Sequence, residues 1–318
     1  RPPALPGGGW LTGLLSEAGG KLDRGRPCGR RRKRGRIPTG PPQRRPVEDL
    51  PGERRAWIGK VMKRIIHLTD LHIGYRDLGE RFEIIVDNIL FSMRPACRYV
   101  VVITGDLVEK GSKPAHYQAA RQAFDRLRAG GFRVLTVPGN HDYGSGFEMS
   151  KKYVPIFKEV FFDDPRVVYP KLDIIGGVAF IGLDSVAEEL DWRDRLFAEG
   201  ELGEAQRQRL VSLLRDGTVR ACRRRVIYLH HHPFDPHPLA QLRDSKELGQ
   251  ILMNHGKIDA LLYGHNHAGN KHNGGWGVTR CYDGGSATRK GGAAGMHRVM
   301  DLRKDPRRDY CGDFHGNS

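Results

Sequence analysis

"YVVVITGD", residues 99–106, decides the fold. A continuous β-branched run without polar alternation reads as a strand covered on both faces, as inside a parallel sheet. It then breaks into Gly105-Asp106. The same shape recurs on either side, as "RIIHLTD" at 64–70 and "RVLTVPGNHD" at 133–142. Between the first two lies "ERFEIIVDNILFSM", where Phe82, Ile85, Val86, Ile89, Leu90 and Met93 keep helical spacing. Between the second pair a helix is expected over Pro114 to Ala129, with its proline in the first turn. Strands and helices alternating at this interval predict parallel βα units.

Further along, "LDIIGGVAFIGLDS" reads as two short strands joined at Gly176-Gly177. "GELGEAQRQRLVSLL" and "KELGQILMNHG" read as helices, the second closed by Gly256. "RVIYLHHHP" and "IDALLYGHNH" are strands, and "GVTRCYDGG" and "MHRVMDL" are expected to be short terminal ones. Helices on the faces of a sheet, or of two stacked sheets, make an α/β sandwich.

Formal charge is +16 over 318 residues, but it is unevenly spread. Residues 1–61 hold 15 Lys/Arg against 5 Asp/Glu, together with 12 Gly and 9 Pro. Such composition cannot bury enough apolar surface to offset chain entropy, so a disordered basic tail is expected there. Its "GRRRKRGR" run (29–36) fits a nuclear-targeting or nucleic-acid patch, or more simply a tail without a specific partner. Met62 directly precedes the first strand, which leaves part of the tail open to reading as upstream translated sequence. The expected organisation is a tail over 1–61, a catalytic domain over 62–305 and a C-terminal tail over 306–318. Five scattered cysteines (Cys28, Cys97, Cys222, Cys281, Cys311) without a CxxC pair fit a reducing compartment. No apolar run reaches the ~20 residues needed to cross a bilayer, so a cytoplasmic protein without a membrane partner is expected.

Strand after strand ends in metal-ligand chemistry: Asp70 and His72, then Asp106, Asn140 with His141, His230 to His232, and His265 with His267. In open α/β sheets, sites form beyond the carboxyl ends of the strands, where loops converge. A lone "GD" or "DxH" is usually a turn or a cap, but five such groups in succession at strand ends are not explained by turns. Carboxylate, imidazole and amide oxygen together suit borderline divalent ions such as Mn, Fe or Zn. Such an ion lowers the pKa of bound water, producing hydroxide near neutrality. No GxSxG elbow and no Gly-rich phosphate loop competes with this chemistry.

The motifs "DLH" (70–72), "GDLVEKG" (105–111), "GNHD" (139–142), "HHHP" (230–233) and "GHNH" (264–267) resemble those of the calcineurin-like metallophosphoesterases. Within that family the chain is most similar to the class III cyclic-nucleotide phosphodiesterases, through "HLTDLHIG", "GDLVEKGSKPAHYQAARQAFDRL" and "GELGEAQRQRLVSLL". The resemblance covers residues 63 to 302. It implies a four-layer αββα sandwich and a dinuclear centre that hydrolyses a small phosphodiester, a cyclic nucleotide among the candidates, through attack of a metal-generated hydroxide. It implies Asp70, His72 and His267 on one ion, Asn140, His231 and His265 on the other, and Asp106 on both. His231 is taken because it stands two residues before Pro233, which leaves His230 and His232 without a role. His141 is implied to face the substrate, with Asp142 orienting it. "GGSAT" (284–288) resembles a loop beside the site.

Two other classes remain in view. A nuclease of the same fold would use the basic tail as its arm, but the rest of the chain carries only +6. A metal-free interaction scaffold would have eroded ligands, whereas all seven positions are occupied here.

Overall fold

The computed structural model describes residues 64–144, 146–186, 199–235, 242–288 and 297–312. The expected tail over 1–61 lies outside them. Ten strands are β1 (Arg64–Leu68), β2 (Tyr99–Thr104), β3 (Arg133–Val137), β4 (Lys171–Ile175), β5 (Val178–Gly182), β6 (Arg224–Tyr228), β7 (Ala260–Tyr263), β8 (Arg280–Asp283), β9 (His297–Met300) and β10 (Tyr310–Gly312). The helices are α1 (Leu78–Ser92), α2 (Pro114–Ala129), α3 (Tyr153–Phe162), α4 (Glu204–Arg215), α5 (Gly217–Ala221) and α6 (Ser245–His255).

The strands form two five-stranded sheets, in the orders β10-β9-β1-β2-β3 and β4-β5-β6-β7-β8. β1, β2 and β3 run parallel, as do β5 to β8, while β9, β10 and β4 join antiparallel at or near the edges. The alternation of side chains along each strand then builds the layers. In β2, Val101 and Ile103 face a helical layer with Phe82, Ile85, Phe124 and Leu127. Val100 and Val102 face the other way, toward Phe180, Val226, Tyr228 and Leu262 of the second sheet. That sheet turns Ile181, Ile227 and Leu261 outward to Leu210, Leu248 and Leu252 of α4 and α6. The order is helix, sheet, sheet, helix, so the expected four-layer αββα sandwich is observed.

This is why "YVVVIT" carries no polar alternation: every one of its residues is buried. Full burial of one such side chain is worth roughly 1.5–3 kcal/mol.

Two elements depart from the sequence reading. α3 is absent from the sequence reading; its Phe161 packs against Tyr117 and Phe124, and its Phe157 against Tyr143. The sheet also runs past residue 305, the boundary expected for the domain. β10 pairs with β9, and Asp309 accepts hydrogen bonds from Arg280 Nε (2.6 Å) and the Tyr282 hydroxyl (2.9 Å). A three-residue strand is too short to show a period. Residues 313–318 lie outside the described part.

Candidate metal centre

The sequence-predicted residues lie just beyond the carboxyl ends of β1, β2, β3, β6 and β7. The backbone there is unusual. Of nine non-glycine residues with positive φ among those described, five are Asp70 (54°), His72 (46°), Asp106 (48°), His265 (80°) and His267 (55°). L-residues adopt this region at a cost on the order of 1–3 kcal/mol, and such residues cluster at functional sites. The left-handed turns redirect side chains that strand alternation alone would send to opposite sides. Neighbouring glycines make room for them. A Cβ at Gly139 would stand 2.3 Å from Asp106 Oδ1, and one at Gly264 would stand 2.5 Å from Asp70 Oδ2.

One donor group forms around Asp70, which is fully buried. Its Oδ1 lies 3.1 Å from His267 Nε2 and 3.9 Å from His72 Nε2. The two Nε2 atoms stand 3.4 Å apart, and His72 Nε2 is 3.5 Å from Asp106 Oδ2. The other oxygen, Asp70 Oδ2, accepts from the Thr69 hydroxyl (2.6 Å) and the His265 amide (3.1 Å), which fixes the carboxylate.

A second group forms on the other side of Asp106. His230 Nε2 lies 3.1 Å from Asn140 Oδ1, 3.1 Å from His265 Nδ1 and 3.6 Å from Asp106 Oδ2. Asp106 Oδ2 therefore belongs to both groups, while its Oδ1 accepts from the His141 amide at 2.9 Å. Donors each ~2.0–2.2 Å from one ion stand roughly 3.0–3.6 Å from one another. Both groups nearly match that spacing. A shared cation would also accommodate ring nitrogens that face one another this closely, His72 with His267 and His230 with His265.

The sequence reading places His231 here; it is His230 whose Nε2 stands within hydrogen-bond distance of Asn140 and His265. His230 Nδ1 is 2.8 Å from the Thr104 carbonyl, which as acceptor fixes Nδ1–H and leaves the Nε2 lone pair for the group. His231 is also brought in, since a ring nitrogen of each of His230, His231 and His265 lies within 4.8 Å of the others. Its Nδ1 pairs with Ser185 Oγ at 2.8 Å, and its Nε2 is buried without a hydrogen-bond partner among the described residues. His232 turns away, onto Tyr263 and His272.

His141 is one-fifth exposed, with Nδ1 2.8 Å from the Glu109 carbonyl. Asp142 does not orient it. That carboxylate is buried and accepts from the Val108 amide (3.0 Å) and the Gly139 amide (2.8 Å), so it ties the turn together. Glu109, unremarked in the sequence, sits between two histidines, with Oε2 3.1 Å from His72 Nδ1 and 3.9 Å from His141 Nδ1. Its signal was its place in "GDLVEKG", three residues after Asp106. The "GGSAT" loop buttresses the site: the Ser286 hydroxyl donates to the Asp70 carbonyl (3.1 Å) and that of Thr288 to the Leu71 carbonyl (2.9 Å).

The electrostatics suit a cation. Burial pushes the Asp70 carboxyl up, but His267 and His230 outweigh it and hold it below the usual range. Burial likewise opposes ionisation of Asp106, and His230, His141, His72 and His265 overcome it. Burial, then the neighbouring His230, lowers His265 to about 4. Burial also lowers His72. Ionised Asp70 and Asp106 beside His72 and His265 held in their neutral form suit a divalent ion, and the donor set fits one.

A family profile described as calcineurin-like phosphoesterase matches residues 63–269. A cAMP/cGMP dual specificity phosphodiesterase of Mycobacterium tuberculosis is 28% identical over 220 residues, 64% of this chain and 61% of that protein. The chain thus spans less than two thirds of that relative's length. Among solved structures, a dimetal phosphatase from Danio rerio matches with a TM-score of 0.55 at 16% identity, covering 80% of this chain and 99% of that one. A Thermus thermophilus protein matches with a TM-score of 0.51 at 16% identity, covering 80% and 100%. At such identities the likeness shows the fold alone.

Proposed function

This chain belongs to the calcineurin-like phosphoesterase family, and on that premise we propose that it hydrolyses a small phosphodiester at a two-metal centre. The observation that carries this reading is the position of Asp106 Oδ2, 3.5 Å from His72 Nε2 and 3.6 Å from His230 Nε2. Asp70, His72 and His267 would hold one ion, and Asn140, His230 and His265 the other, with Asp106 on both. The mixed O/N donor set suits Mn, Fe or Zn. When bound, two such ions supply an acidified water and neutralise charge on the phosphoryl oxygens.

The chain's own residues do the rest. His141 donates Nδ1–H to the Glu109 carbonyl, so its Nε2 is the ring atom free to serve a substrate. Protonated there, it donates to a phosphoryl oxygen or gives its proton to the departing alkoxide. The Glu109 carboxylate accepts from His72 Nδ1–H and keeps His72 Nε2 turned to the donor group. Asp142 pins the turn that presents Asn140 and His141.

Diester preference, with a cyclic nucleotide as a candidate substrate, is supported by the activity in the name of the Mycobacterium tuberculosis relative. A cytoplasmic setting is supported by the free thiols of Cys97, Cys222, Cys281 and Cys311. No helix among the described residues is long and apolar enough to cross a membrane. Turnover of bis-p-nitrophenyl phosphate, p-nitrophenyl phosphate and cyclic AMP by Mn-loaded protein tests the reading. Faster turnover of the diesters is expected; hydrolysis of the monoester alone would reject it.

A further inference from the structure

The other end of the second sheet is also rich in charge, with cations in excess. Two cavities open at the start of β6 and β7, at the opposite strand ends from the metal centre. One, of about 690 Å³, is lined by Arg223, Arg224, Lys257 and Arg303 with Asp259. The other, of about 530 Å³, is lined by Arg215, Arg220, Arg225 and Lys257, and no carboxylate is among its lining residues. They meet at Lys257.

The acidic groups nearby are already engaged. Asp259 accepts from Arg224 (2.7 Å) and from the Arg225 amide (2.9 Å). Asp301 holds Arg303, and Asp216 caps α5 through the Thr218 and Val219 amides. The Arg225 guanidinium is spent on the carbonyls of Val219, Arg220 and Lys257. Arg215, Arg220, Arg223 and Lys257 are exposed and have no carboxylate partner among the described residues.

Segments 214–225 and 253–259 contain six Lys/Arg against two Asp, a net +4, whereas residues 62–318 as a whole carry only +6. A bland account exists: Arg215, Arg220 and His255 stand in the last turns of α4, α5 and α6, where cations offset the helix dipole. Three helix ends supply about half a negative charge each, which leaves more than two positive charges over. The dipole also says nothing about Arg223 and Lys257, which lie beyond the helices.

We infer that this face binds the phosphate backbone of a nucleic acid. The unpartnered cations line two joined concavities rather than one closed pocket, which suits a chain of repeated phosphates. Three of the four are arginines, whose planar fork matches phosphate oxygens. No Phe, Tyr or Trp lines either cavity, so base stacking is missing and the binding is independent of sequence. The bound strand is a ligand of the face and not the substrate, because the metal centre lies at the other strand ends.

The test is fluorescence anisotropy of a labelled single-stranded 20-mer with the metal-loaded full chain across a KCl series. Because "GRRRKRGR" also attracts phosphate, the background is a full chain with Arg30, Arg31, Arg32, Lys33 and Arg34 changed to Gln. Neutralising about four phosphates predicts binding roughly 50-fold weaker at 200 mM than at 50 mM KCl. Arg220→Glu, Arg223→Glu and Lys257→Glu together should weaken binding at least tenfold and leave bis-p-nitrophenyl phosphate turnover unchanged. Should that variant fail to fold, the corresponding Gln variant should show a smaller loss in the same direction. Unchanged oligonucleotide binding in either folded variant would overturn the inference. So would stronger, face-dependent binding to phosphatidylserine vesicles than to the oligonucleotide, which would make the face a membrane-binding one.

Discussion

The two donor groups of the centre are anchored differently. The first draws Asp70 and His72 from a single turn after β1 and adds His267 from the second sheet. The second takes only Asn140 from the first sheet and both imidazoles, His230 and His265, from the strand ends of the other. Asp70 is fixed by Thr69 next to it and, from the second sheet, by the His265 amide. His230 is fixed across the sandwich, by the carbonyl of Thr104 on β2. The second group therefore depends more heavily on how the sheets pack through Val100, Val102, Phe180 and Tyr228, while the first takes two of its three donors from one turn. Asp106 couples the two.

Breaking that coupling should have the largest effect. Asp106→Asn should remove the shared carboxylate charge and impair both groups. Its loss in diesterase turnover should exceed the roughly 10²–10⁴-fold that removal of a general acid costs. A variant within tenfold of the native rate would contradict a shared ligand.

The next effect should separate the groups. His230→Ala should leave one tightly held ion per chain, and His231→Ala should retain two, as counted by elemental analysis after gel filtration. The reverse outcome would restore His231 to the place the sequence reading gave it. The choice among the three histidines has a physical basis that local sequence does not carry. In "HHHP" three identical side chains follow β6, and distance to Pro233 does not determine which of them turns toward Asp106. The Thr104 carbonyl determines it, from a strand more than a hundred residues earlier, and no local pattern reports that contact.

Other parts were legible for the opposite reason. Strands buried on both faces are mostly apolar, so β2 and β7, and β1 apart from its buried His67, stood out, and the donors at their ends followed at fixed spacing. Asp142 was not legible in this way, because a buried carboxylate bonded to two amides leaves the same "NHD" signature as one that orients a histidine. Glu109 was passed over because a charge within a loop is ordinarily solvent-facing.

His141→Ala should keep both ions yet slow the reaction roughly 10²–10⁴-fold. The defect should be larger for alkyl leaving groups than for nitrophenolate, which departs without a proton. Equal losses would leave only charge stabilisation for this histidine. Loss of metal would place it among the ligands.

A smaller effect should mark the support of the first group. Glu109→Gln keeps the size of the side chain but weakens acceptance from His72 Nδ1–H. Metal affinity measured by competition with a chelating dye should fall roughly 10–100-fold, in the first group only. Unchanged affinity would show that the Thr69-braced turn suffices without it.

The central claim is that one carboxylate oxygen serves two ions, and electron paramagnetic resonance of the Mn-loaded chain reads it directly. Two ions sharing Asp106 should give the exchange-coupled spectrum of a Mn pair at two equivalents per chain. Asp106→Asn should abolish that coupling. A native spectrum of isolated, six-line Mn centres at every loading would contradict the account.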